Sequence, residues 1–210
     1  MNGAKRMYEY LKGIVTFIGP AYIVVELNGI GYLLYIANPF RFSNQLNQET
    51  IIYVHQAVRE DAITLYGFKD YNEKQLYLKL ISVSGIGPKS GLAILANDDH
   101  AGLVYAIENE EVSYLMKFPG VGKKTAAQII LDLKGKLDDL EIIRVPIDGV
   151  MQQELSLSQD QKPVNEAIEA LTALGYSTKE IKKVEPEIRK MNKETTDAYL
   201  REALRLLMKK

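Results

Sequence analysis

The chain has 210 residues, of which 47% are hydrophobic and 25% are charged, a composition typical of one or two folded domains. Lys and Arg total 26 and Asp and Glu total 27, so nucleic-acid binding would have to depend on local clusters of charge. The chain has no cysteine, which excludes thiol nucleophiles, disulfides and Cys-ligated metal centres. No apolar run approaches the ~18 residues of a membrane span and no signal peptide is recognised, so we expect a cytoplasmic protein.

Short β-type runs occupy the chain from Met7 to about Tyr66. They are rich in β-branched and aromatic residues, and turn residues separate them. Asn28-Gly29 between two of the runs predicts a tight hairpin, since a type I′ turn needs positive φ at both central positions. The pattern predicts a small barrel of about five strands over residues 1–66. Residues 1–6 carry no pattern and are set aside as an extension that need not be native.

The periodicity becomes helical from about Gly67, as in the stripe formed by Ala126, Ile129, Ile130 and Leu133. We assign residues 67–140 to an all-α domain. Residues 141–162 have little periodicity and no aromatic residue, and they predict a flexible linker. Helical patterning resumes over 163–210, which predicts a small bundle of three helices. The fold class is therefore α+β with several domains.

A repeat within the helical domain is the most informative feature of the sequence. Residues 80–93 align with residues 115–128, and the two copies are offset by 35 positions. Each copy consists of the end of one helix, a Gly–aliphatic–Gly turn, a lysine two places after the second glycine, and another helix. The repeat resembles the helix-hairpin-helix motif of proteins that bind DNA without sequence specificity.

The residue types fit phosphate binding by the backbone. Glycine lets the chain approach an anion closely, and the start of the second helix offers free N–H groups and a positive dipole end. Such contacts position a protein on a nucleic-acid backbone without reading bases. The candidate DNA-binding residues in the repeat are Gly85, Ile86, Gly87, Lys89, Gly120, Val121, Gly122, Lys123, Lys124 and Thr125.

Alternative interpretations of the repeat are weaker. A Gly-x-Gly turn can simply join two helices tightly, but two copies with matched lysines and matched aliphatic residues make that explanation insufficient. A nucleotide-binding loop does not fit, because the segment Gly122-Lys123-Lys124-Thr125 lacks the first glycine of that motif and no strand precedes it. A base-flipping glycosylase would need a pocket and catalytic groups for which the sequence has no evident counterpart.

Further motifs in order along the chain extend the resemblance to a known family. The segments 7–13, 58–62, 65–68 and 170–176, together with the two hairpins, resemble the RuvA family, the Holliday-junction-binding subunits of the bacterial branch-migration complex. The resemblance implies an oligonucleotide/oligosaccharide-binding (OB) barrel, a double helix-hairpin-helix domain and a mobile C-terminal three-helix domain similar to ubiquitin-associated domains. It also implies a homotetramer, with one or two tetramers on the junction left open, and a hexameric RuvB-type ATPase and a RuvC-type resolvase as partners.

The resemblance also assigns roles to residues outside the hairpins. Glu60 and Asp61 match the acidic pin of the family, which would hold strands apart where they cross, although the residues alone suggest only a solvated turn. Arg59 beside them is a candidate for DNA binding or for pairing with these neighbours. Gln128 stands where the family commonly has arginine, so we leave it out of the binding set.

Other polar and aromatic groups have simpler interpretations. Asp98-Asp99-His100 lies between helical stretches and predicts a helix N-cap rather than a metal site. The sequence Leu174-Gly175-Tyr176 predicts a helix ended by a left-handed glycine, with an exposed Leu174 or Tyr176 at a partner surface as the alternative from the family. Tyrosines of the barrel could stack on bases, but we expect them in core packing or subunit contacts; these are Tyr8, Tyr10, Tyr22, Tyr32 and Tyr35.

The function predicted from the sequence is a non-catalytic subunit that binds four-way DNA junctions, holds them open and planar, and recruits an ATPase for recombination and repair. We identify no nucleotide-binding motif, catalytic triad, metal cluster or cofactor site. The rival hypothesis is a nuclease or repair enzyme that grips DNA with the same hairpins, and paired metal-binding carboxylates near the repeats would favour it. A protein–protein scaffold would have no need of two phosphate-type turns.

Overall fold

The computed structural model describes residues 7–137, 140, 162–191 and 193–209. The N-terminal part is a closed barrel with strand order β1-β2-β3-β5-β4, in which β3 and β5 are parallel and the other neighbours are antiparallel. A 3₁₀ helix, Pro39–Gln45, lies between β3 and β4. The strands are β1 (Tyr10–Ile18), β2 (Tyr22–Leu27), β3 (Ile30–Tyr35), β4 (Glu49–Val58) and β5 (Ile63–Phe68). The five-stranded barrel predicted from the sequence is confirmed.

Local rules account for this barrel. Asn28 and Gly29 have φ values of 51° and 81° and join β2 to β3, as a type I′ hairpin requires. Alternate residues along the strands point inward, and they form one apolar cluster. Its buried members are Leu11, Val15, Ile23, Val25, Leu34, Ile36, Phe42, Ile52 and Val54.

The barrel tyrosines meet the expectation of core packing only in part, because Tyr8 and Tyr32 pack against the barrel core and the other three lie on its outer surface. None of the five is buried, and Tyr10 and Tyr35 are 53% and 41% exposed. Tyr22 packs beside Phe17 and Tyr35 on the outer face of the barrel, with ring centroids 5.8 and 6.5 Å apart. Aliphatic residues and Phe42 fill the small interior, so most of the larger rings lie at its edge or outside it.

Five helices follow the barrel and carry the repeat. They are α1 (Tyr71–Ser82), α2 (Pro88–Leu95), α3 (His100–Glu108), α4 (Val112–Leu115) and α5 (Lys123–Leu133). The barrel extends slightly further than the sequence suggested, because Gly67 and Phe68 still pair with Val54 and Tyr53 of β4. Phe68 then packs against Tyr77 of α1, with ring centroids 4.7 Å apart, which joins the barrel to the helical core.

Two charged residues of α1 also fasten the helices to the barrel. Lys74 is fully buried, and its Nζ donates to Oε1 of Glu9 at 2.6 Å. Its neighbour Glu73 is buried as well, and its Oε1 accepts from Arg41 Nη1 of the 3₁₀ helix at 2.8 Å. Buried charges are costly unless paired, so these contacts fix one arrangement of barrel and helices.

Three C-terminal helices form the predicted bundle: α6 (Lys162–Leu174), α7 (Thr178–Ile188) and α8 (Thr196–Met208). Apart from Lys162, with which α6 begins, the predicted linker lies outside the described residues, as does the extension over 1–6. Gly175 has φ 97°, and Tyr176 N donates to Leu171 O at 3.1 Å, so the left-handed glycine cap is confirmed.

Leu174 and Tyr176 are core residues of the bundle, at 8% and 4% exposure. The alternative of an exposed leucine or tyrosine at this turn is therefore wrong. Gly175 lies between them and reverses the direction of the chain. Tyr176 therefore packs back against α6.

The bundle lies against the rest of the molecule. Its apolar residues belong to the same hydrophobic cluster as those of α1–α5. Polar contacts join α8 to the 3₁₀ helix region, where Asn38 Nδ2 donates to Asp197 Oδ1 at 2.8 Å. None of the described helices has both the length and the apolar character needed to cross a membrane.

Candidate nucleic-acid interface

The two hairpins of the repeat have the same backbone geometry. In the first, Ile86 N donates to Val83 O at 3.1 Å, and in the second Val121 N donates to Phe118 O at 3.1 Å. The aliphatic residue between the glycines is 6% exposed in both copies. Ile86 and Val121 therefore point into the helical core and hold the turns.

The glycines of each hairpin serve two different purposes. Gly85 and Gly120 have φ values of 91° and 76°, a left-handed conformation that strains other residues. Gly87 and Gly122 have an ordinary φ of −86°, and a Cβ built on either one meets nothing within 4 Å. No part of the described chain requires glycine at these two positions, and the open space beside each leaves room for an external group to approach the backbone.

The second glycine of each hairpin is the N-cap of the next helix. Neither Gly87 nor Gly122 provides a side chain to bond the first N–H groups of α2 or α5. These donors and the positive dipole end are thus directed to the solvent side, where they suit an anion. The hairpins differ in one respect, because Pro88 replaces an N–H donor that Lys123 retains in the second copy.

The two hairpins lie side by side. A Cβ built on Gly120 would be 3.8 Å from Ser90 Oγ, in the first turn of α2. Ser90 is not among the site residues predicted from the sequence, although the repeat aligns it with Thr125, which is among them. The matching hydroxyl position was the signal that could have identified this residue.

Free positive charge surrounds the helix starts. Lys89, Lys123 and Lys124 are exposed, and within the described part of the chain none of them forms an ion pair. Their charges therefore remain available to a ligand outside the chain. Gln128 lies one turn further along α5 and is half-buried.

The tight turn between β4 and β5 carries the acidic pair. Arg59 N donates to Ala62 O at 2.8 Å, which puts Glu60 and Asp61 at the tip of the hairpin with both residues exposed. Arg59 forms no ion pair with either neighbour in the described structure. Of the two roles considered for Arg59, pairing with its neighbours is not observed.

A groove of about 320 Å³ joins this acidic turn to the first hairpin. It brings together Arg59 and Asp61 from the barrel with Lys89 and Ser90 from α2, and Tyr66 of β5 lies between them. Burial raises the pKa of the Tyr66 hydroxyl, and Arg59 opposes part of that effect. Tyr66 thus lines the groove as a neutral tyrosine.

The segment Asp98-Asp99-His100 forms a cap, as the sequence predicted. Asp99 is the N-cap of α3, and its Oδ1 accepts from Gly102 N at 2.8 Å. His100 is buried, with its Nε2 3.2 Å from Leu95 O. Asp98 is paired with Arg41 and Arg201 instead. These three side chains thus have separate structural partners.

Comparison with protein families gives three matches along the chain. The RuvA N terminal domain matches residues 7–67, a SAM-like helix-hairpin-helix tandem matches residues 77–135, and the RuvA C-terminal domain matches residues 162–208. These three matches correspond to the barrel, the helical repeat and the bundle.

Curated relatives match over nearly the full length. A protein of Latilactobacillus sakei is 57% identical over 204 residues, covering 97% of this chain and 100% of its own. Proteins of Limosilactobacillus reuteri and Streptococcus pneumoniae are each 53% identical over 207 residues, covering 96% and 97% of this chain and 100% of their own. All three relatives are named Holliday junction branch migration complex subunit RuvA.

Proposed function

This chain belongs to the RuvA family, and from that membership we propose that it is the junction-binding subunit of a branch migration complex. It binds four-way DNA junctions through their phosphate backbones and holds the arms open in a plane. It acts in recombination and repair of DNA, in the bacterial cytoplasm.

The observation that carries the proposal is the pair of helix starts at Gly87 and Gly122. Both positions have ordinary backbone angles and open space, yet both are glycine. A sugar–phosphate backbone pressed against the turn needs that space, and the first N–H groups of α2 and α5 then bond its phosphate oxygens. Lys89, Lys123, Lys124 and the hydroxyl of Thr125 add charge and hydrogen bonds around the same phosphates.

The groove beside the first hairpin supports a role for the acidic turn. Arg59 and Lys89 both line it, so a strand bound at the hairpin would pass close to Glu60 and Asp61. Carboxylates repel phosphates, and they would prevent a continuous duplex from crossing that point. Where strands separate at a junction, the same carboxylates would fit between them as a pin.

The outer surface of the barrel supports assembly into a homotetramer. It leaves many large apolar side chains exposed, which is unusual for a surface that contacts only solvent. These include Tyr10, Ile14, Phe17, Ile30, Leu33, Tyr35, Leu46 and Ile51. Four copies around an axis would cover part of this surface and bring four acidic turns to the centre. Sedimentation of the purified protein at several concentrations measures this assembly.

Energy for branch migration comes from a partner in this proposal, a hexameric RuvB-type ATPase that docks on the bundle of α6–α8. A RuvC-type resolvase shares the junction. Leu174 and Tyr176 contribute to partner binding by holding the shape of the bundle, since both side chains lie in its core. The chain itself acts as a specificity and scaffold subunit and not as an enzyme.

A mobility-shift comparison tests the proposal. The protein is titrated against a synthetic four-way junction and against a linear duplex of matched length and sequence, at one fixed salt concentration. A clear preference for the junction is expected. Equal affinity for both DNAs would contradict junction recognition, while leaving general backbone binding intact.

The role of the bundle needs a separate assay. A chain that ends at Val150 retains the barrel and both hairpins and should still shift the junction, but should no longer stimulate the partner ATPase. Normal stimulation by this shortened chain would overturn the assignment of the bundle as the docking domain.

A further inference from the structure

Asp98 connects the bundle to the DNA-binding unit, by which we mean the barrel and α1–α5. It lies in the turn between α2 and α3, and one of its carboxylate oxygens pairs with Arg201 Nη1 on α8. The other oxygen is 3.5 Å from Arg41 Nη1, and the same Arg41 atom is 2.8 Å from Glu73 Oε1. The bundle is thus attached to the charged contact that fastens α1 to the barrel.

A second polar contact lies one turn of α8 away. Asp197 Oδ1 accepts from Asn38 Nδ2 at 2.8 Å, and Asn38 is fully buried. Asp197 Oδ2 also accepts from Arg201 Nε at 2.8 Å. Asp197 and Arg201 therefore act as one unit, since each bonds the other and each bonds a residue of the DNA-binding unit.

The apolar part of this contact ends at a cavity that is open to solvent. The bundle shares a hydrophobic cluster with α1–α5, and an open-sided cavity of about 390 Å³ lies at the edge of this contact, between α8 and the DNA-binding unit. Leu204 and Met208 line it on one side, and Asn97 and Tyr114 line it on the other. Arg201 is half-exposed, so its ion pair with Asp98 adds to this apolar packing and is weakened by salt.

Over residues 163–191 and 193–209, the exposed surface of the bundle lacks the apolar patch that a partner protein would be expected to bind. Among its described residues, no large hydrophobic side chain is exposed. Protein-docking surfaces generally have an apolar centre. In the observed arrangement, such a centre could be supplied by the face of α6 and α8 that lies against the DNA-binding unit, where Leu204 and Met208 border the cavity.

We propose that Asp98, Arg201, Asp197 and Asn38 form a latch that holds the bundle on the DNA-binding unit and withholds its α6–α8 face from the partner ATPase. The latch opens when these polar contacts break and the α6–α8 face separates from the hydrophobic cluster that it shares with α1–α5. The hairpin glycine Gly87 lies at the start of α2 and Asp98 follows its end, so the eight-residue helix, about 12 Å long, separates the latch from the DNA contact. The idea that the latch keeps the α6–α8 face from the partner ATPase rests on the proposed function. The latch itself does not.

Proximity crosslinking in the full-length protein tests the latch without any partner. Because the chain has no cysteine, Asn97→Cys with Lys209→Cys introduces one defined pair across the cavity. A short bis-maleimide should join the two sites within one chain in dilute protein. Crosslinking is compared in this background for four further variants, each checked for folding by circular dichroism.

The variants separate charge from general disturbance of α8. Arg201→Glu places like charges beside Asp98 and Asp197, and the crosslinking yield should fall about tenfold or more. Arg201→Lys should retain most of the yield. Arg189→Glu is the matched control, because Arg189 bonds Glu185 and Asn165 inside the bundle. Asp98→Asn weakens the latch from the other side, so the test remains valid if Arg201→Glu disturbs α8.

The second part of the proposal is that the latch keeps the α6–α8 face from the ATPase. It is tested by measuring binding of the partner ATPase to immobilised full-length protein without cysteine substitutions. Arg201→Glu should bind the ATPase several-fold more tightly than the parent protein, and Arg189→Glu should not. Unchanged crosslinking in both Arg201→Glu and Asp98→Asn would overturn the latch. Reduced crosslinking with unchanged ATPase affinity would overturn the withholding of the face. Absence of ATPase binding by every variant would contradict the proposed function, while the crosslinking result would still decide the latch.

Discussion

Gly87 and Gly122 have the same backbone conformation, with φ −86° at both and ψ 171° and 174°, although 35 residues separate them in the chain. Each is the N-cap of the helix that follows, and each lacks a side chain that could bond the first N–H groups. The repeat in the sequence is therefore a repeat of two open helix starts whose first N–H groups have no side-chain cap.

Replacing Gly122 by serine should separate stability from DNA binding. Serine is a good N-cap residue and the position is open, so the melting temperature should stay the same or rise slightly. Its side chain would occupy the space for the DNA backbone, and its hydroxyl would bond an N–H group needed by the phosphate. We expect junction affinity to fall about tenfold or more, measured by mobility shift beside a thermal melt. Unimpaired binding would contradict the close approach.

The adjacent Gly120→Ser variant provides the contrast. Gly120 has φ 76°, so a side chain there should cost about 1–2 kcal/mol of stability because of backbone strain. Both stability and DNA binding should fall in this variant. The pair of neighbouring glycines thus distinguishes a residue needed by the fold from one needed by the ligand.

The lysines of the second hairpin should determine part of the salt dependence of binding. Each neutralised phosphate contributes about −0.9 to the slope of log K against log salt. Replacing Lys123 and Lys124 together by alanine should make the slope less steep by up to about 2 and weaken binding to all DNA sequences equally. Lys182→Ala with Lys183→Ala, on exposed positions of α7, is the control and should leave the slope unchanged. A loss confined to particular sequences would argue for base contacts instead.

The acidic turn should affect selectivity more than stability. Glu60→Gln with Asp61→Asn removes both negative charges at exposed positions, where substitutions usually change stability by no more than about 0.5 kcal/mol. Affinity for linear duplex should rise, and the preference for a junction should fall about tenfold, which corresponds to ~1.4 kcal/mol. Competition gels at fixed salt measure this ratio. If the ratio stays the same, the pin has no part in junction selectivity.

Leu174→Ala should destabilise the bundle, because Leu174 is a core residue. Large-to-small core changes of this kind cost about 2–5 kcal/mol. Hydrogen exchange resolved by segment should show faster exchange in α6–α8, while the amides of β1–β5 remain protected. Lys179→Ala at an exposed position of α7 is the control. A bundle as well protected as the parent would argue against a core role for Leu174.

The barrel and the hairpins could be predicted from the sequence because their signals are local. Asn28-Gly29 specifies a turn through the backbone angles that these two residues tolerate, and the alternation along β2 specifies which face is buried. The repeated Gly–aliphatic–Gly turn likewise carries its own geometry, since Gly120 needs positive φ and Val121 needs the core.

Contacts between distant segments could not be predicted in this way. Nothing in the sequence indicates that Ser90 lies beside Gly120, or that Arg59 and Lys89 share one groove, because both depend on how barrel and helices pack. The burial of Tyr176 also depended on packing. The chain reverses at Gly175, and Tyr176, which had been considered as a surface residue, lies in the core of the bundle.

Asp98 shows the same division within one short segment. Local patterning sufficed for its neighbour Asp99, which caps α3 with a bond to a residue three positions on. Asp98 instead pairs with Arg41 and Arg201, which are distant in the chain. A cap depends on adjacent backbone and can be recognised in a short window of sequence. An ion pair between domains depends on long-range packing, so only the tertiary structure decides which residues are its partners.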